Sequence, residues 1–141
     1  VGSILPVVAT LGFLLLCTER SQRELERAAR MDFLTGVYNR RAIEDLGTRA
    51  IAAARRHGMP LSLLVVDLDH FKRINDELGH AAGDLALVQA VARIRESLRA
   101  GDLPGRLGGE EFIVLMPNTD GASAAAAAER IRESFSGQPL E

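Results

Sequence analysis

The sequence predicts an α/β protein, a sandwich of helices on a mixed sheet. Three observations carry that prediction. Leu61–Val66, LSLLVV, is a short apolar run bounded by Gly58 and Pro60 on one side and Asp67 on the other, the pattern of a buried strand. Apolar residues at helical spacing lie on both sides of it. Paired glycines, Gly108-Gly109, separate two further short apolar runs, as in a hairpin whose turn needs positive φ. The 141 residues are 47% hydrophobic, enough to build a packed core. A net charge of −2, from 17 basic and 19 acidic residues, gives no electrostatic basis for nucleic-acid binding. The single cysteine, Cys17, excludes an intrachain disulfide and a cysteine-based zinc site.

Val1–Cys17, VGSILPVVATLGFLLLC, carries no charge. As a helix it would be about 25 Å long, against a bilayer core of about 30 Å. It reads as residues 1–17 of a transmembrane helix whose beginning lies upstream; a signal-peptide core or a buried helix are the alternatives. The basic residues follow the run (Arg20, Arg23, Arg27 and Arg30), which opposes a signal peptide and puts the rest of the chain on the cytoplasmic side. Residues 18–31 form a charged helical linker with Leu25, Ala28 and Ala29 on one face, either a short pairing helix or a solvated spacer.

Arg41–His57 is predicted as a helix with Ile43, Leu46, Ala50 and Ile51 inward, stopped by Gly58 and Pro60. After the LSLLVV strand, Phe71–Leu78 is a short helix ended by Gly79. Asp84–Leu98 is a longer one with Leu85, Val88, Val91, Ala92 and Ile94 inward. Leu103–Leu107 and Phe112–Met116 are the hairpin strands, and Gly121–Phe135 is an alanine-rich closing helix. Three strands make a thin sheet. The start at valine and the finish in SGQPLE read as a piece of a longer protein, with more strands expected beyond Glu141.

Asp67 and Asp69 lie at the end of the first strand, where α/β proteins bind ligands, and Glu110 and Glu111 lie at the hairpin tip. If the hairpin pairs beside the first strand, these acids converge. Two carboxylates about 4 Å apart repel by about 4 kcal/mol at an effective dielectric near 20. A divalent cation turns that repulsion into a binding site, and oxygen-only donors favour Mg²⁺ or Mn²⁺. An EF-hand loop beginning at Asp67 fails, because its sixth and twelfth positions hold Lys72 and Leu78. No Walker A motif, zinc spacing among His57, His70 and His80, or G-x-S-x-G nucleophile is present. Taken singly, the acids read as a solvated strand end and the glycines as an ordinary turn. Together they reach only as far as metal-assisted phosphate chemistry.

Three ordered stretches resemble the GGDEF family of diguanylate cyclases: DFLTGVYNRR (Asp32–Arg41), DLDHFKRINDELGHAAGD (Asp67–Asp84) and GGEEF (Gly108–Phe112). The resemblance covers residues 32–141, about the first two thirds of such a domain, with a fold similar to the palm of nucleotidyl cyclases and polymerases. It implies condensation of two GTP into cyclic di-GMP with release of two pyrophosphates. It further implies that Asp67 and Glu110, with the Leu68 carbonyl, hold Mg²⁺ or Mn²⁺, two ions per site, and that Glu110 helps deprotonate the attacking 3′-hydroxyl. Gly108 and Gly109 let backbone approach the nucleotide, Asn75 and Asp84 read guanine, and Lys72 neutralises phosphate. Without the resemblance, Asn75 is a polar helix end and Asp84 an N-cap. Asp32 and Asn39-Arg40 read as architectural and Phe71 as core, while Glu111 stays open between metal site and supporting hydrogen bonds.

Arg99 and Asp102 form R-x-x-D, ending five residues before Gly108. That placement resembles the family's product-binding inhibitory site, with Arg130 a weaker third member; the plain alternative is a surface ion pair worth under about 1 kcal/mol. Because each domain holds one GTP, the resemblance implies a homodimer, here tethered to a bacterial inner membrane with the catalytic domain in the cytoplasm. A catalytically inactive cyclic di-GMP receptor and a dimerisation module are the rival functions.

Overall fold

Helix α1 (Leu5–Ala28) runs without a break through the apolar segment and the charged linker that the sequence separates. The computed structural model describes residues 5–137 and divides the chain into two units, residues 1–31 and 32–141. In the first unit Phe13, Leu14, Leu15, Leu16 and Leu25 are all exposed. Among the described residues no helix is long and apolar enough to cross a membrane.

The second unit begins with a tight turn, Asp32–Gly36, closed by the Gly36 amide donating to the Asp32 carbonyl at 2.9 Å. Helix α2 (Arg40–His57) follows, its N-terminus capped by Asn39, whose Oδ1 accepts from the Ala42 amide at 3.0 Å. Left-handed Gly58 ends it. Then come β1 (Leu61–Asp67), α3 (Phe71–Leu78), α4 (His80–Glu96), β2 (Leu103–Gly108), β3 (Glu111–Pro117) and α5 (Gly121–Ser136). The carboxylate of Asp120 caps α5 by accepting from the Ser123 amide at 2.8 Å.

The sheet order is β1-β3-β2, so the hairpin strand β3 lies in the middle. Both ladders are antiparallel, where the sequence reading expects a mixed sheet. The parallel component among the described residues is a single bridge, Tyr38 to Gly105, that lays the segment before α2 along the outer edge of β2. Alternation along β3 sends Phe112, Val114 and Met116 into a core with Leu87, Ala90, Val91 and Ile94 of α4 and Ala124, Ala127 and Ile131 of α5. Leu115 turns to the other face, toward Gly47 of α2. Helix α2 also presses on β2 at Gly105, where a Cβ would meet the Ile43 Cβ at 2.8 Å. A glycine there is what lets helix and strand approach so closely.

Several expectations are corrected. Asp67 is the last residue of β1 rather than just past it. Helix α4 starts at His80, so Asp84 lies inside its second turn and caps nothing; Gly79 is the junction of α3 and α4. The buried face of α4 is Ala86, Leu87, Ala90, Val91 and Ile94, while Leu85 and Val88, expected inward, are 51% and 41% exposed and Ala92 is exposed. On α2, Ile51 is exposed. The hairpin turn is Gly109-Glu110, because Gly108 still pairs with Glu111.

Candidate active site

The β1–β3 register decides where the acids meet. Asp67 lies opposite Glu111, and one step further the Leu68 amide donates to the Glu110 carbonyl at 3.4 Å. The backbone therefore carries Asp67, Leu68, Glu110 and Glu111 to one end of the sheet. Asp67 is exposed and Glu110 half-buried; Leu68 is buried and its carbonyl accepts from the Phe71 amide at 3.4 Å. Asp69 lies on the exposed loop before left-handed His70, lining with Asp67 a groove along β1 that Ile131 and Phe135 of α5 close from below. Among the described residues no three His, Cys, Asp or Glu side chains form a metal-holding group. The donors expected from the sequence are the Asp67 and Glu110 carboxylates and the Leu68 carbonyl, and the register carries all three residues to this end of the sheet. All are hard oxygens, and so few protein ligands suit Mg²⁺, which keeps several waters and is otherwise held by substrate phosphates.

The turn has a demanding backbone. Gly108 has φ +152° and Gly109 φ +50°, conformations that side chains resist. The register shifts between Arg106 and Gly108, a bulge that re-aims the end of β2. Arg106 spans it: Nε and Nη2 donate to the Gly109 carbonyl at 3.0 and 2.8 Å, and Nη1 donates to both carboxylate oxygens of Asp32 at 3.2 and 3.3 Å. Asp32 Oδ1 also accepts from the Thr35 amide at 2.9 Å and hydroxyl at 2.6 Å. Burial alone would raise the Asp32 pKa, but the two Thr35 hydrogen bonds and the Arg106 charge hold it below the ordinary carboxylate value.

A second cluster lies where α3 and α4 meet. The single residue Gly79 joins the helices, and its amide donates to the Asn75 carbonyl at 2.9 Å. Across the junction, a Cβ on Gly83 would lie 1.9 Å from Asn75 Oδ1. Gly83 is thus the space into which the Asn75 amide fits, with Asp84 the next residue on α4. Lys72 is exposed on the first turn of α3. Phe71 is buried, as expected of a core residue.

The R-x-x-D stretch forms a turn at the other end of β2 from Gly108, about 17 Å away at strand rise. Buried Asp102 accepts from the Arg99 backbone amide through Oδ2 at 2.9 Å, and its own amide donates to the Arg99 carbonyl at 3.1 Å. The carboxylate thus fastens the turn and leaves the exposed Arg99 side chain to solvent. Arg130 reaches the same loop from α5, donating through Nη2 to the Ser97 carbonyl at 3.1 Å.

This constellation of strand-end acid, double-glycine turn and paired helices corresponds to a known domain. The profile for the diguanylate cyclase GGDEF domain matches residues 29–140. The chain belongs to the GGDEF family. It is 46% identical over 109 residues to the response regulator PleD of Caulobacter vibrioides, covering 77% of this chain and 24% of PleD. It is 41% identical over 114 residues to the probable diguanylate cyclase DgcC of Escherichia coli K12, covering 81% and 31% respectively. Among solved structures, the coiled coil and GGDEF domain of DgcB from Caulobacter crescentus in complex with c-di-GMP superposes with a TM-score of 0.90 at 29% identity. That match covers 99% of this chain and 73% of DgcB's. The chain spans a third or less of the curated relatives' length. Within this GGDEF domain, sequence reasoning missed two residues, Gly83 and Arg106. Gly83 stood inside a quoted motif and Arg106 two residues before the glycine pair, but their partners, Asn75 and Asp32, appear only once the chain is folded.

Proposed function

We propose that this domain makes cyclic di-GMP from two GTP as half of a homodimer, with product feedback. The observation that carries the reading is the β1–β3 register, which brings Asp67 and the Glu110-bearing turn to one sheet end. The α3–α4 junction supplies Asn75 and Asp84 for the base. An amide and a carboxylate match the donor and acceptor edge of guanine, and Gly83 leaves the amide room. Gly108 and Gly109 keep side chains away from the phosphates, and Lys72 offsets their charge.

Asp67, Glu110 and the Leu68 carbonyl are the residues that would hold Mg²⁺ or Mn²⁺, which when bound supplies charge neutralisation at the triphosphate and activation of the 3′-hydroxyl. In each half-reaction the 3′-oxygen of one GTP forms a bond to the α-phosphorus of the other. The bond from that phosphorus to the β-phosphate oxygen breaks, and pyrophosphate leaves with the electron pair. Glu110 would take the hydroxyl proton. Each domain binds one nucleotide, so two copies face each other to close the ring. The exposed apolar side chains of α1, and the likeness over 99% of the chain to a DgcB structure with a coiled coil, support pairing through this helix. Arg99 and Asp102, with Arg130 reaching the same loop from α5, form the product site, where the exposed Arg99 guanidinium can grip phosphate or guanine. An inner-membrane tether with a cytoplasmic catalytic domain rests on the uncharged residues 1–17 followed by arginines.

The test is turnover of the full-length protein with GTP and Mg²⁺, read as cyclic di-GMP and pyrophosphate in a 1:2 ratio. GTP bound without product would refute the cyclase reading. Cyclic di-GMP bound without turnover would favour the receptor reading instead.

A further inference from the structure

The turn that carries Glu110 is not held by its own ladder alone. A tight turn with two positive-φ glycines beside a bulge has few intrinsic constraints, because glycine brings the most conformational freedom to be lost. Here the Gly109 carbonyl, one peptide before Glu110, is gripped by two N–H groups of Arg106, at 3.0 and 2.8 Å. The third arm of the same guanidinium is taken by Asp32. Both side chains are well covered, at 14% and 15% exposure, so the pair is shielded from the solvent screening that weakens surface pairs. Asp32 is pinned in turn by Thr35, which is buried, and the Arg106 amide donates to the Tyr38 carbonyl at 2.8 Å. Arg95 of α4 holds the same lead-in turn from another side through the Gly36 carbonyl at 2.5 Å. The chain from Asp32 to Tyr38, which follows the α1 unit directly in sequence, is therefore fastened to the glycine turn by one guanidinium.

We propose that Arg106, set by Asp32, is a positioning residue that fixes the Gly109-Glu110 peptide and so the placement of the Glu110 carboxylate. The inference rests on the cyclase reading only for its kinetic consequence. Arg106 and Asp32 touch the turn, not the nucleotide, so their loss should leave GTP affinity in place and impair the chemical step.

The experiment uses the full-length protein with R106A, R106K and D32N, reading amide hydrogen exchange at Gly108–Phe112 together with kcat and KM for GTP. In R106A the turn amides should exchange about tenfold faster and kcat should fall about tenfold or more, with KM within about twofold. Lysine is a point donor that cannot span the Gly109 carbonyl and Asp32 together, so R106K should recover only part of both signals. D32N keeps an oxygen for Thr35 but loses the charge, and should move both readouts the same way by less. Turn exchange at the wild-type rate in R106A would overturn the proposal, as would a loss of thermal stability with kcat per folded molecule unchanged. If R106A does not fold, R106K and D32N decide by the same two readouts. If the wild-type protein has no turnover, the cyclase reading falls, and the exchange rates alone decide whether the clamp exists.

Discussion

At the scale of single residues, the site depends on what each side chain can do that its nearest substitute cannot. Glu110→Gln keeps the shape and removes the charge. Because Glu110 is only half-buried and sits on a turn, its loss should change unfolding free energy by well under about 1 kcal/mol while turnover falls below detection; retained turnover would remove Glu110 from the chemistry. Gly83→Ala separates recognition from stability. Inside α4 an alanine gains up to about 1 kcal/mol of helix propensity, yet its methyl would lie 1.9 Å from Asn75 Oδ1 and 3.3 Å from Phe71 Cζ. The short Asn75 side chain must rotate away. The melting temperature should stay close to wild type while KM for GTP rises about tenfold, the size of one or two lost hydrogen bonds; an unchanged KM would mean that Asn75 does not read the base. Asp32 supplies the pH signature. Its folded pKa lies below the ordinary 3.8, so its contribution to stability is complete above that value and is lost as pH falls through the folded pKa. Denaturant titrations across the acid limb should therefore show a shallower loss of stability in D32N than in wild type, and parallel limbs would mean that the Thr35 and Arg106 contacts do not act on Asp32.

At the scale of elements, legibility follows how one-sided each segment is. Helix α3 was legible with its observed bounds, Phe71–Leu78, because Gly79 stops it and its inward apolar residues, Phe71 and Ile74, three apart, leave one way to pack. The hairpin was legible from two apolar runs flanking glycines, and its place beside the first strand follows from antiparallel pairing. Helix α4 is legible in part: Val91 and Ile94 are buried as expected, whereas Leu85, Val88 and Ala92 face outward and Ala86, Leu87 and Ala90 take the core side, because the helix carries apolar residues on more than one stripe and only the sheet selects between them. Its start was set too late because no capping side chain marks His80; the backbone of Gly79 does that work. The candidate acids were legible because strand ends and turns announce themselves, whereas Gly83 acts on Asn75, Gly105 on Ile43 and Arg106 on Asp32, partners eight or more residues away in the chain. Gly105 is the clearest structural case. Its absent Cβ makes room for the Cβ and Cγ1 of Ile43, each 2.8 Å from where it would stand, and a β-branched residue cannot rotate its own Cβ aside. Gly105→Ala should lift α2 off β2 at a cost of about 1–3 kcal/mol in urea unfolding, without changing kcat per folded molecule. A stability equal to wild type would mean that α2 does not sit this tightly.

At the scale of the whole molecule, the two ends of β2 carry the two proposed sites. The R-x-x-D turn and the glycine turn are about 17 Å apart along the strand, too far for one cyclic dinucleotide at Arg99 to occlude Glu110 directly, so if the proposed product site is right, inhibition acts on how domains are held. Arg99→Ala should raise the cyclic di-GMP concentration needed for half-inhibition about tenfold or more while leaving initial rates unchanged, since Asp102 fastens the turn through the Arg99 backbone rather than its side chain. Unchanged inhibition would take Arg99 out of the product site. Asp102 is a poorer probe: buried and bonded to the turn, its removal would confuse folding with binding. The dimer has its own signature. If neither domain completes a turnover alone, rate plotted against total enzyme on logarithmic axes should have a slope of about 2 below the dimer dissociation constant and about 1 above it. Helix α1 exposes Leu25 at 70%, on a segment where charges would otherwise predominate. If that face pairs with its copy, Leu25→Lys buries two like charges at one interface and should push the change of slope to higher enzyme concentration, with the limiting kcat preserved once enough protein is present. A slope of about 1 at every concentration, with a monomer in sedimentation, would mean that one domain completes the ring alone, and the half-site account would be wrong.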